Sequence, residues 1–516
     1  MVINEIFASQ QIGFPILSTL IGLPLLAALA IRFVSDTATV KTIALSAALA
    51  ELALSLYLLI NFIPGISDFQ FAERHLWIQT IGASYHLGVD GISVLFIPLT
   101  ALVTLLALLV GGNTPKFSSK AYLGSVLIFE AVAIGVFSSL DMILFYVFYE
   151  LALVPIYLLI SLCGTGTQRQ YAALKYILYM LVGSASLLVG VVLLGISHPD
   201  AVAGGYSFDL LTLAATPPPA SIQGLIFFLL LVGFAVKGPL LPFHTWMPNA
   251  LTQGPIGVGI FLVGLKLGTY AMLRVLLPLT PASSMEWGPV IVGIGLATLL
   301  YGGLIALVQQ NLRRLLAFAS ISHVGLVMVG LFSLNVQGVQ GGLLMMLNMA
   351  LASTCMFFLA GALYARLGSS ELSSFGGLAL QVPKLAFFFF FFGLASIGLP
   401  GTSGFHGEFL SLLGAFKGHW AFAAVGVLGV ILSAGYFLWF FERAFFGPVR
   451  NSAVSKMKDL SGRETAIASV FAAIILAAGL YPAPLLSVTE ASVAATVRAV
   501  SQHDAKAQAA QVTANK

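Results

Sequence analysis

Charge is scarce in this chain: only 8% of its 516 residues are Asp, Glu, Lys or Arg. Soluble globular domains carry about 25% charged residues, so that class is excluded at the outset. Cysteine is scarcer still. Cys163 and Cys355 are the only two in the sequence, and both fall in or beside apolar runs, so neither a disulfide framework nor a cysteine-based metal site follows. There is no CxxC set, no GxGxxG after a strand, and no pair of histidines placed to face each other across helices as a haem would need. No redox centre is therefore expected on this chain. The apolar runs are continuous rather than alternating, which excludes a β-barrel.

What the sequence has instead is apolar surface: 59% hydrophobic residues and a mean hydropathy of +1.01. A helix needs about 20 apolar residues to cross a hydrocarbon layer of roughly 30 Å. Runs of that kind predict 14 spans, over residues 12–33, 40–63, 91–111, 121–139, 142–162, 172–196, 222–243, 255–279, 288–308, 315–334, 339–366, 385–414, 421–446 and 465–485. The expected fold is an all-α polytopic membrane protein. No small-residue cleavage site follows the first span and the second begins seven residues later, so the first is read as a membrane helix and not a signal peptide. Residues 1–485 are expected to form a single transmembrane domain. The Ala/Gln-rich stretch 486–516 is expected to be a polar, loosely ordered tail. Within the loop 64–90, the alternation in HLWIQTIGASYHLGVD predicts a short hairpin over the membrane face.

The net charge of +4 acquires meaning once it is divided between the two sides. Loops after odd-numbered spans hold 14 of the 23 basic residues, and the opposite side holds five. By the positive-inside rule the odd-numbered loops face the cytoplasm, which puts both termini on the outer, periplasmic side of a bacterial inner membrane. Four basic residues remain at membrane depth: Lys175, Lys237, Lys266 and Arg274.

Two spans carry helix breakers beside ionisable residues. Span 7 has Lys237, Gly238 and Pro239; span 12 has GLPGTSGFHGEF, with Pro400 and Gly401 ahead of Glu408. Proline removes a backbone donor and crowds the preceding turn, so each helix should split around an unwound segment. Five spans separate the breaks, which predicts two inverted five-helix repeats, spans 4–8 (121–279) and 9–13 (288–446), with a transport pathway between the broken helices.

A charge at bilayer depth costs about 2.5–3.5 kcal/mol on insertion scales, so each needs a partner, water or a function. Glu150 (FYVFYELALV), Lys175, Lys237, Lys266, His323 (SISHVGLV) and Glu408 recur along successive spans. Such an alternation of acids, lysines and histidine is what a proton relay requires, because burial disfavours the charged form of each and a neighbouring opposite charge restores it. The unwound backbone would hold water beside Lys237. Structural alternatives stand beside this. Lys175 opens its span and could snorkel to the surface, Arg274 reads as a snorkelling anchor, and His323 could be a packing histidine. Glu51 and Glu130 are mid-span carboxylates to which the sequence assigns no role.

Taken together, HLGVDGIS (86–93), SLDMILFYVFYELALVPIYLLI (139–160), GFAVKGPLLPFHTWMP (233–248), QQNLRRLLAFASISHVG (309–325), GLPGTSGFHGEFLSLLGAF (398–416) and FFGPV (445–449) make the chain resemble the antiporter-like membrane subunits of bacterial complex I, NADH-quinone oxidoreductase. That family also includes Mrp antiporter and membrane hydrogenase subunits. The resemblance implies that Glu150 and Lys237 are the central pair of the first half-channel, Lys266 the connecting lysine, His323 the histidine of span 10 and Glu408 the outer acid of the second half-channel. Glu408 points to the M-type branch, since L- and N-type relatives carry lysine there and L-type chains run on into a lateral helix. The chain departs from the family pattern at Asn249, Leu251 and Asn311. The segment before Lys266 is about two residues shorter, and Met349 stands where span 11 normally supplies a histidine.

The resemblance implies a proton-translocating subunit driven by quinone reduction elsewhere, with NADH, FMN, Fe–S clusters and quinone held by other subunits and L-like and N-like chains as partners. No cofactor, metal or nucleic acid is expected on this chain. An Mrp-like cation/proton antiporter, a membrane hydrogenase subunit, and a divergent structural copy with altered pumping are the competing readings.

Overall fold

The computed structural model describes residues 4–111, 119–200, 205–449 and 451–514. It is built almost wholly of helices. Twelve of the described helical segments are long and apolar enough to cross a membrane, and two further apolar helices, Phe96–Val110 and Pro383–Ser396, are shorter. The chain is a multi-pass membrane protein. The expected span 385–414 is divided between Pro383–Ser396 and Ser403–Gly418, and the expected span 222–243 stops as helix at Lys237.

Three strands form a small sheet: β1 (Glu5–Phe7) pairs parallel with β2 (Phe69–Ile78), which forms the anticipated hairpin with β3 (Ala83–Val89). The helices used below are α1 (Ile16–Phe33), α2 (Thr37–Asn61), α3 (Phe96–Gly111), α4 (Lys120–Ser138), α5 (Met142–Leu151), α6 (Leu153–Cys163), α7 (Arg169–Ile196), α8 (Leu210–Ala215), α9 (Ala220–Lys237), α10 (Trp246–Gln253), α11 (Ile256–Gly264) and α12 (Leu267–Ala271). They continue with α13 (Pro281–Leu307), α14 (Leu312–Leu331), α15 (Val336–Asn348), α16 (Thr354–Leu367), α17 (Pro383–Ser396), α18 (Ser403–Gly418), α19 (Trp420–Phe445), α20 (Gly462–Leu480) and α21 (Ala483–Ala514).

Helix starts follow ordinary capping chemistry, in which a short polar side chain accepts from an otherwise orphaned backbone N–H. Asp141 caps α5, Asp209 caps α8, Asn311 caps α14 and Asn335 caps α15, and Ser461 with Glu464 makes a capping box on α20. Burial sorts the spans. Those over Ile256–Leu279, Leu312–Leu331 and Val336–Leu367 are 94% buried, against 22% for Gly462–Leu480. The three central spans carry Lys266, His323 and Met349, so these residues sit inside protein and not against lipid.

The segment 486–516, expected as a loose tail, is helical through Ala514. Alanine is the strongest helix former, and Val493 and Val500 give the helix an apolar side to bury against the bundle. Ser492 Oγ accepts from Gly91 N at 3.0 Å and Gln340 Nε2 donates to Thr489 at 3.0 Å, which fastens α21 to the loop after β3 and to α15.

Arg274 is another correction. It is not an anchor at a helix end: it is 6% exposed and its guanidinium forks onto Asp90, one arm at 3.0 Å. The hairpin brings Asp90 there, a placement with no signature in linear sequence.

On the hairpin side, four ionisable groups clasp the N-terminal strand to the helices. His86, fully buried on β3, has Nδ1 2.9 Å from Asp209 and Nε2 3.2 Å from Glu5. Arg74 lies 3.4 Å from Asp209 and 3.9 Å from Glu5. Burial alone would raise the Asp209 carboxyl, but the hydrogen bonds from His86 and Thr212 and the charges of His86 and Arg74 outweigh it and hold the group below its ordinary value. An acid with a depressed folded-state value stabilises the fold above its unfolded value, about 3.9, and loses that contribution as pH falls through the folded one. Asp209→Asn is therefore expected to lower the unfolding temperature at neutral pH, with the difference from wild type shrinking below about pH 4. Thermal unfolding of both proteins across pH checks this; a difference that grew on acidification would contradict it.

Candidate functional site

Glu150 is the penultimate residue of α5, and the chain bends at Ala152 before α6. It is half-buried, and the neighbouring Leu151 and Val154 are 45% and 47% exposed, so this acid lies toward the flank of the bundle. Lys237 ends α9, because Pro239 and Pro242 cannot continue the helical ladder. Its Nζ donates to the carbonyl of Tyr149 and stands 3.5 Å from the Tyr149 ring centroid. Glu150 and Lys237 interact through space, with no direct ion pair between them. A cation over a ring and against a carbonyl dipole is held without being neutralised.

Lys266 sits in a break that the sequence reading did not anticipate. The helix stops at Gly264, Lys266 has φ −91° and ψ 61°, and α12 begins at Leu267. This break packs on the one after Lys237: a side chain at Gly268 would collide with the backbone of Gly238. Two interrupted helices can approach so closely only where both present bare backbone. Lys237 and Lys266 line one void of about 20 Å³, walled by Phe129, Tyr176, Trp246 and Leu265. That volume holds about one water molecule.

Lys266 Nζ donates to the Leu262 carbonyl at 3.1 Å and to Ser320 Oγ at 2.8 Å. Ser320, on α14, also lines a second void of about 20 Å³ that reaches Tyr436 on α19. The Tyr436 hydroxyl lies 3.3 Å from His323 Nε2, and the ring of His323 is within electrostatic reach of Lys266. Glu408, 5% exposed on α18, interacts through space with Tyr436. Its carboxyl occupies the break between α17 and α18 against Gly398, whose φ of +71° and lack of a side chain make the space.

Five of the six residues singled out from sequence are thus neighbours in succession, by a shared void or an electrostatic interaction: Glu150 with Lys237, Lys237 with Lys266, Lys266 with His323, and His323 with Glu408 by way of Tyr436. Lys175 lies apart from these five. It is half-buried on α7, and its charge is felt at His244, just before α10. Tyr149, Ser320 and Tyr436 were missed. Ser320 stands one helical turn before His323 and so shares its face, a signal present in SISH; Tyr149 and Tyr436 sit among other aromatics and carry none. Met349 lies in a π-turn, Met349–Ser353, and is fully buried. The preceding Asn348 reaches the second break, donating to Ala395 O at 3.3 Å and accepting from Ser403 at 2.8 Å.

Among the described residues, one group could offer three metal ligands: Glu5, His86 and Asp209, with ligand atoms within 4.8 Å of one another. Arg74 already supplies positive charge to both carboxylates, and the cluster acts as the clasp described above.

Residues 139–433 match the family model described as NADH:quinone oxidoreductase/Mrp antiporter, transmembrane. The chain is 37% identical over 495 residues to NADH-quinone oxidoreductase subunit M of Rickettsia bellii, covering 94% of this chain and 98% of that one. It is 36% identical to the subunit of the same name from Rhodobacter capsulatus, covering 94% and 96%. Among solved structures it superposes with a TM-score of 0.85 on a chain of respiratory complex I from Thermus thermophilus, at 30% identity over 94% of this chain and 99% of that one. It shares its fold, at a TM-score of 0.80 and 23% identity, with a chain of the Mrp complex from Dietzia, over 94% and 98%. With a match over more than half its length and near full-length relatives above 30% identity, this chain belongs to the NADH:quinone oxidoreductase/Mrp antiporter transmembrane family, among the subunit M proteins.

Proposed function

We propose that the chain is the proton-translocating membrane subunit of an NADH-quinone oxidoreductase, with Glu150, Lys237, Lys266, His323 and Glu408 as its relay. The observation that carries this is the water-sized void lined by both Lys237 and Lys266, two lysines with no acidic partner in ion-pair contact among the described residues. Retaining unpaired ammonium groups at membrane depth is costly unless their protons are to move. A change in charge at Glu150 alters the balance at Lys237. A proton released from Lys237 crosses through the void to a neutral Lys266, then moves by way of Ser320 and Tyr436 to His323 and Glu408, and leaves on the outer side. Lys175, beside His244, sets the charge near the cytoplasmic mouth.

In this reading electron transfer belongs to the partner subunits, to which NADH, FMN, Fe–S clusters and quinone are assigned, and both termini face the periplasm of the inner membrane. The two five-helix halves, 121–279 and 288–446, form the two half-channels that meet at Lys266.

The test is the purified respiratory complex in sealed vesicles, with wild type compared to Glu150→Gln and Lys237→Ala. Each variant is expected to take up fewer protons per NADH oxidised while the complex remains assembled. Unchanged uptake in both would discard the relay, and uptake that followed sodium in place of protons would favour cation exchange.

A further inference from the structure

We propose that Glu51 and Glu130 form a second proton-binding site, a carboxyl pair that holds one proton between them in the N-terminal helices, outside the relay. Glu51 stands in the middle of α2 and Glu130 in the middle of α4. These two helices pack on each other and both pack on α3. Each residue is 0% exposed, and among the described residues none of the four carboxyl oxygens of the pair has a hydrogen-bond partner of ordinary geometry. Thr104, on α3, lies beside Glu130, and its hydroxyl is also fully buried. Glu130 interacts electrostatically with Glu51, and among the described residues no lysine, arginine or histidine forms an ion pair with either acid.

Buried polar atoms in folded proteins are almost always satisfied, so two fully buried carboxyls on packed helices, with no cation beside either among the described residues, require an explanation. Two adjacent carboxylates in an apolar interior cannot both keep a negative charge without a counter-ion. The smallest species that resolves the conflict is a proton. Bound to one carboxyl it donates to the other, forming one short charge-assisted hydrogen bond, and it leaves the Thr104 hydroxyl free to donate to the remaining oxygen lone pairs. Packing in the sequence supports a dedicated site: Ala48 and Ser55 keep the Glu51 side of α2 small and buried. The preceding residue on α4, Phe129, walls the void shared by Lys237 and Lys266, so one helix serves both sites from different faces.

Difference infrared spectroscopy of the assembled complex at neutral pH tests this through the carbonyl stretch of a buried carboxylic acid. The inference does not rest on the relay, and Lys266→Ala in the same membranes separates the two: it should leave the band in place whatever it does to proton uptake. If one proton is shared, Glu51→Gln and Glu130→Gln each shift the band without reducing its area, because the remaining acid keeps the proton. The double variant removes it. Thr104→Val, which keeps the side-chain shape, shifts the band in the wild-type background and serves where a glutamine variant fails to assemble. Single variants that each remove half of the band would show two independent acids and overturn the sharing. A band untouched by the double variant, or one abolished by sodium and not by alkali, would overturn the site itself.

Discussion

Lys266→Ala is expected to remove this chain's entire share of proton uptake, with transfer through it slowed by about 10²-fold or more, the usual contribution of a positioned acid or base. Lys266 lies where both water-sized voids can be reached, lining the first and bonding Ser320 at the edge of the second. Glu150, half-buried at the flank, biases the balance at Lys237 and should have a smaller effect when changed. Lys266→Arg is the informative companion. A guanidinium keeps the positive charge and can still donate to Ser320, but it does not release a proton in the working pH range. Arginine should therefore be as inactive as alanine if Lys266 hands on a proton, and active if the residue supplies only a fixed charge. The readout is protons taken up per NADH oxidised in vesicles, with assembly checked separately; a normal ratio in Lys266→Arg would remove Lys266 from the relay.

The second large effect concerns stability. Asp90→Ala leaves the Arg274 guanidinium buried with no counter-charge, and breaking a buried pair from one side typically costs about 3–5 kcal/mol. Folded proteins are stable by only about 5–15 kcal/mol, so the variant should accumulate poorly in the membrane or unfold at markedly lower temperature. The pair does more than neutralise charge. Asp90 Oδ1 also accepts from Ile92 N at 3.0 Å, and Arg274 stacks 5.1 Å from the Phe69 ring centroid, so β2, the loop after β3 and the π-turn Met272–Leu276 are held at one point. Replacing both members, Asp90→Leu with Arg274→Met, removes the orphaned charge and should recover much of the loss. A double variant no better than Asp90→Ala in thermal unfolding would show that the hydrogen bonds to the loop matter more than the buried charge.

Much of the architecture was readable because membrane burial simplifies the problem. Backbone groups in hydrocarbon must be paired within each segment, so an apolar run of sufficient length has little choice but helix. The breaks after Lys237 and before Glu408 were visible because proline is local chemistry. The break at Lys266 was not: GLKLG contains no proline, and the helix opens there because its backbone lies against that of Gly238, a contact between segments 30 residues apart. The helical tail was missed for the opposite reason, since an Ala/Gln-rich composition reads equally as solvated coil until a docking surface is known.

By itself the sequence determined the solvent, the helical class and which titratable residues fall within apolar runs, since hydropathy and charge are properties of single residues and short runs. Only the tertiary structure decided which of those residues meet. It paired Arg274 with Asp90, set the Lys237 ammonium on Tyr149, and brought Glu51 toward Glu130. Charge partners in a helical bundle are set by the rotation and depth at which helices pack, and neither quantity is written in any one span.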